Sequence, residues 1–146
     1  MKSKTLFLLA LATCMMCGCQ QETSTTKDTH GHKHEKLSVM VDQIKGFRDS
    51  VKTAFEAGTP GDCDGALHDA AHVLEEVSHA TDFGELSAED QASAKTCTKT
   101  LFDSFMKIHD GFHGGEADAT AYDGVKDAME AEIATLESLV EKLAAP

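Results

Sequence analysis

From Lys36 onward the apolar residues recur at three- and four-residue steps, a pattern that predicts helix and leaves no stretch with strand-like alternation. The first such segment runs from about Lys36 to Ala57. Leu37, Met40, Val41, Ile44, Phe47, Val51, Ala54 and Phe55 form its narrow apolar seam, and Gly58 stops it. Thr59-Pro60-Gly61-Asp62 then opens a second: threonine can cap, proline is at ease in the first helical position, and Asp62 meets the positive first turn. Its core face is Leu67, Ala70, Ala71, Leu74 and Val77. Ser87-Ala88-Glu89-Asp90 opens the third like a capping box with aspartate in place of glutamate. That segment carries Ala94, Cys97, Leu101, Phe105, Ile108 and Phe112 to a stop at Gly114-Gly115. The fourth begins near Thr120 with Tyr122, Val125, Met129, Ile133, Leu136, Val140 and Leu143 on one face. Four amphipathic segments of about 20 to 25 residues with short connections predict an all-α protein, an antiparallel up-down four-helix bundle over residues 36–146.

Ahead of the bundle, Gln20 to Lys36 holds no apolar residue for a core and reads as a flexible, solvated tether over residues 19–35. The chain before it has a different character. Lys2 and Lys4 precede an apolar stretch, Leu6 to Met16, too short to cross about 30 Å of hydrocarbon as a helix. This stretch and the Met16-Cys17-Gly18-Cys19 that ends it resemble the signal and lipobox of bacterial lipoproteins. The resemblance implies that residues 1–18 are removed and that Cys19 becomes a lipidated N-terminus, anchoring the chain to a membrane of the cell envelope. Gln20 after the cysteine implies the periplasmic side of an outer membrane, or the cell surface. More than one acyl chain on Cys19 makes such anchoring stable.

Removal of Lys2 and Lys4 lowers the basic count from 13 to 11 against 25 acidic side chains, a net charge of −14 with histidine neutral. A surface so acidic, with Arg48 the only arginine, excludes nucleic acid and anionic lipid as partners and favours cations. Of five cysteines, Cys14 and Cys17 leave with the signal and Cys19 takes the lipid, so Cys63 and Cys97 remain as a pair. In an oxidising compartment a disulfide between them contributes about 3 to 4 kcal/mol. A symmetric hairpin opposes that pairing, because it sets Cys97 opposite about residue 71, about 12 Å from Cys63. Two separately buried thiols are the alternative.

Chemistry, if the chain carries any, lies in its histidines. His30, His32 and His34 alternate on the tether and can wrap Zn²⁺, Cu²⁺ or Ni²⁺. On the second helix His68, His72, Glu75 and His79 fall within about 60° of one another, a single stripe opposite the apolar face. On the third, His109 and His113 lie one turn apart, with Met106 one turn back, all flanking the apolar seam; two imidazoles and a thioether suit copper. His72-x-x-x-Glu76 and His109-x-x-x-His113 resemble two ligand motifs of hemerythrin-like proteins. The fourth helix has no histidine, however, and a symmetric hairpin puts residue 72 opposite about residue 96, so a di-iron centre is not expected. Haem is not expected either, since there is no Cys-x-x-Cys-His. No nucleophile elbow, phosphate loop or zinc-protease motif points to an enzyme. Two functions remain open: a lipid-anchored binder of a divalent transition metal, and a structural or partner-binding lipoprotein with no bound metal.

Overall fold

A computed structural model describes residues 26–27, 33–113 and 120–145, with side chains for 34–111 and 120–145. The fold is all-α, with four helices: α1 (Leu37–Glu56), α2 (Asp64–Glu76), α3 (Ala88–His113) and α4 (Lys126–Ala144). Each packs mainly on two others, α1 and α3 both on α2 and α4. Lys45 meets Glu137 at 2.5 Å and Arg48 meets Glu130, so residue numbers run in opposite senses where α1 faces α4. The core lies between the four apolar faces. Leu37, Ile44 and Val51 of α1, Leu67 and Leu74 of α2, Leu101, Phe105 and Ile108 of α3, and Met129 and Leu136 of α4 are all essentially solvent-free. The one buried polar side chain among the described residues, Ser104, donates its hydroxyl to the carbonyl of Thr100 at 2.8 Å, so its burial leaves that donor satisfied.

Helix ends follow local chemistry. Gly58 takes a φ of +72°, the Thr59 amide donates to Ala54 O at 2.9 Å, and the Gly58 amide donates to Phe55 O at 3.1 Å. These two bonds are the Schellman arrangement that ends α1 where its glycine predicts. At the start of α3 the Ser87 hydroxyl accepts from the Asp90 amide at 3.1 Å and donates to the Asp90 carboxylate at 2.9 Å. Lys142 of α4 then reaches that carboxylate at 2.5 Å, and this contact, with the serine, holds Asp90 below the usual carboxylate range. Ser87→Ala is expected to cost about 1 kcal/mol, the ordinary worth of such a cap, in a urea melt.

Two features depart from the expectations. The second segment is broken: 3₁₀ turns at Pro60–Cys63 and Val77–His79 flank α2, and a further one at Phe83–Glu85 fills the corner before α3. Residues Thr120 to Val125, expected as the start of α4, form a turn in which the Gly124 amide donates to Thr120 O at 3.1 Å and the Val125 amide to Tyr122 O at 3.0 Å. Glycine is a poor helix former, and the turn lets Tyr122 and Val125 reach the core before α4 begins.

The last residues of the tether meet the bundle. Two-residue strands β1 (Thr26–Lys27) and β2 (Lys33–His34) pair antiparallel. Glu35 O accepts the Thr81 amide at 2.9 Å, and Asp82 Oδ1 caps α1 from 45 residues away by accepting the Leu37 amide at 2.8 Å. A carboxylate at that helix start also meets the positive end of the dipole.

Candidate metal centre

Asp64 is the first residue of α2, and His68 stands one turn later on the same face. Their 3.8 Å approach, Asp64 Oδ1 to His68 Nε2, is the neighbour contact of an i, i+4 pair. From α3, His109 brings its Nε2 to 4.0 Å from the same carboxylate oxygen. The two imidazoles meet edge-to-face with ring centroids 4.7 Å apart. One donor atom from each of the three residues lies within 4.8 Å of the other two. Burial divides the roles. His109 is only 12% exposed, on the flank of the α3 seam, whereas His68 and Asp64 are 60% and 54% exposed and able to turn toward it.

The donor chemistry fits a divalent transition ion. Ligand atoms about 2.0 to 2.1 Å from a tetrahedral ion sit about 3.3 Å from one another. Contacts of 3.8 and 4.0 Å therefore need to close by about 0.5 to 0.7 Å, and the two imidazole donors, within 4.8 Å, by up to about 1.5 Å, movements that the two exposed side chains can make. Two imidazole nitrogens and one carboxylate oxygen suit Zn²⁺, Cu²⁺ or Ni²⁺ and would leave at least one coordination position open. Asp64 sits in the first turn of its helix.

The structure thus joins histidines that the sequence divides into separate pairs. His68 meets His109, which a symmetric hairpin would have set opposite about residue 59. His72 stands apart, lining a shallow cleft with Glu35, Met40, Gln43, Val73 and Glu76. The exposure expected of His68, His72, Glu75 and His79 is found, but His79 has left the α-helical stripe for a 3₁₀ turn. Met106 is half-buried on α3, and His113 closes that helix with its side chain outside the described residues. Cys19, His30 and His32 also lie outside them. Asp64 is the candidate ligand that histidine counting misses. Its signal was legible as Asp64-x-x-x-His68, a carboxylate one turn before an imidazole.

Cys63 and Cys97 are separate thiols, both buried, so the disulfide is not formed. The α2–α3 register gives the reason. His109 lies beside Asp64, the neighbour of Cys63, and Cys97 is twelve residues back along α3, about 18 Å away, against less than about 7 Å between the α-carbons of a bridge. Cys63 donates its thiol to Pro60 O at 3.0 Å, and burial raises its pKa. Cys97 turns toward α4, where burial first and then Glu132 push its thiol up to about 11. Neither is a ready nucleophile. Both are expected to resist alkylation in the folded chain and to react fully, without reductant, once it is unfolded; peptide mass spectrometry reads the outcome residue by residue.

An apolar groove of about 470 Å³ runs between α2 and α3 away from this cluster, lined by Leu74, Val77, Phe83 and Phe102, with Lys95 and Lys99 at its edge. No known protein family, characterised protein or solved structure shows detectable similarity to this chain.

Proposed function

We propose that this chain is a lipid-anchored, extracytoplasmic helical bundle that binds a divalent transition metal ion at Asp64, His68 and His109. The observation that carries the metal reading is the convergence of these three donors from two helices and 45 positions of sequence. Three protein ligands with an open position suit exchangeable binding, as in buffering, delivery or sensing, better than a closed structural site. The strong negative charge draws cations toward the surface. Support for the anchor is in the sequence, in the lipobox-like Met16-Cys17-Gly18-Cys19, and no helix among the described residues is long and apolar enough to cross a membrane.

Calorimetric titration of the mature chain with Zn²⁺, Cu²⁺ and Ni²⁺ tests the metal reading. At least one ion is expected to lose its site when His68 and His109 are both alanine, and equal binding by the two proteins, or none tighter than about 10 μM, would sink it. A second reading, a partner-binding bundle with no bound metal, is favoured by the open apolar groove between α2 and α3. That reading gains ground if the titration is silent and polar substitutions at Phe102 abolish a stable complex.

A further inference from the structure

We propose that His34, Glu76 and His79 form a second transition-metal site, one that fastens the end of the tether to the bundle. It is independent of the site at Asp64. His34 belongs to β2, only 20% exposed, and its Nδ1 lies 3.8 Å from Glu76 Oε2 at the last residue of α2. The His79 ring, on the 3₁₀ turn that follows, has its centroid 5.8 Å from that of His34, with the planes tilted by 31°. The centre of an imidazole bound through nitrogen stands about 3.2 Å from the ion, so two on one tetrahedral ion have centroids about 5.2 Å apart, and somewhat more at wider angles. The observed centroids are thus about 0.6 Å beyond that spacing, and the side chains must also turn their donor atoms toward one another, since the one described set of three such atoms already within 4.8 Å is Asp64, His68 and His109. Glu76 is 56% exposed and His79 is exposed, so both can complete the closure while the less exposed His34 holds its place.

Bonds that need no metal set the stage. The Thr81 amide bonds Glu35 O, and Asp82 accepts the Leu37 amide, so the chain on both sides of the cluster is tied together before an ion arrives. Glu35 accepts a hydrogen bond from Gln43 Nε2 at 3.0 Å, and Glu76 is a carboxylate that faces His34. Glu76 and Asp64 are twelve residues apart on α2, about 18 Å, too far to share one ion. An ion held here would bridge the anchored end of the chain and the α2–α3 corner, making the attachment of the tether depend on metal supply.

The experiment is a calorimetric Zn²⁺ titration of the full mature chain in a series of variants, each checked for helical content by circular dichroism. With His68→Ala and His109→Ala in place, one Zn²⁺ is expected to bind still. Adding His30→Ala and His32→Ala should change its affinity by less than threefold, and adding His79→Ala instead should weaken it at least tenfold. One equivalent of Zn²⁺ should also slow trypsin cleavage after Lys33 at least tenfold, and only while His34 and His79 are both present. Unchanged affinity and cleavage in the His79→Ala chain would overturn the proposal, as would loss of the ion on removing His30 and His32, which assigns it to the tether alone. Failure of the first site reads out differently, as no fall in stoichiometry on removing His68 and His109.

Discussion

His109→Ala is expected to weaken Zn²⁺ binding at the Asp64 site at least a hundredfold, measured in a chain whose His30, His32, His34, His72, His79 and His113 are alanine so that other imidazoles stay silent. His109 is the donor that α3 contributes, and the donor that burial fixes in place. Without it, Asp64 and His68 remain as an exposed i, i+4 pair that must be ordered at each binding event. Loss of an outer-shell partner alone costs metal sites 10- to 100-fold, so loss of the anchored ligand should cost at least the upper figure. Asp64→Asn, which keeps the shape and removes the charge, should lie between this variant and the parent.

The same ion should couple to stability, because it ties the start of α2 to α3. Free Zn²⁺ at a hundred times its dissociation constant adds about 2.7 kcal/mol, which for a domain of this size raises Tm by about 10 to 20 °C. A chelator should reverse the shift, and His109→Ala should abolish it. A melting curve indifferent to Zn²⁺ in the parent chain would remove the site from consideration. Affinity should also fall as the solution is acidified, since protons compete for the imidazoles and the carboxylate.

The residues that build this site were legible one helix at a time, and their meeting was not. Periodicity finds the seam from Leu37 to Ala54, and local chemistry finds the stops, because Gly58 and the Ser87–Asp90 cap act within a few residues of themselves. Register between helices is a different kind of quantity. It depends on how the corner from Val77 to Leu86 is used, and that corner buries Val77, Ala80, Phe83 and Leu86 through two short 3₁₀ turns instead of closing as a symmetric loop. The consequence is that residue 109 comes level with residues 64 to 68, which both gathers the candidate ligands and parts Cys63 from Cys97. His34 escaped for a related reason. A polar tether offers no hydrophobic pattern to place it, yet backbone bonds through Glu35 and Leu37 bring it to His79. Tyr122 shows the converse, a residue whose burial was readable although its helix was not: the chain turns from Thr120 to Val125, and Phe55 receives the Tyr122 ring at a centroid distance of 5.4 Å.

Cys19→Ser is expected to abolish lipid attachment altogether, the largest single effect foreseen for this chain. Growth with radiolabelled palmitate should label the parent and not the variant, while Cys14→Ser and Cys17→Ser leave labelling unchanged. Each methylene of an acyl chain buried in a bilayer contributes about 0.8 kcal/mol, and one myristoyl chain alone gives marginal binding, so stable attachment here requires more than one chain on that sulfur and amine. Eleven basic against 25 acidic side chains repel anionic headgroups, and no helix among the described residues is long and apolar enough to span. A chain exported behind an ordinary cleavable signal and beginning at Gln20 should therefore appear wholly in the soluble fraction, whereas the lipidated parent should stay with membranes through high salt and leave them only in detergent. Palmitate on the Cys19→Ser chain, or retention of the Gln20 chain on membranes, would remove the anchor from the proposed function and leave the metal site to be judged on its own.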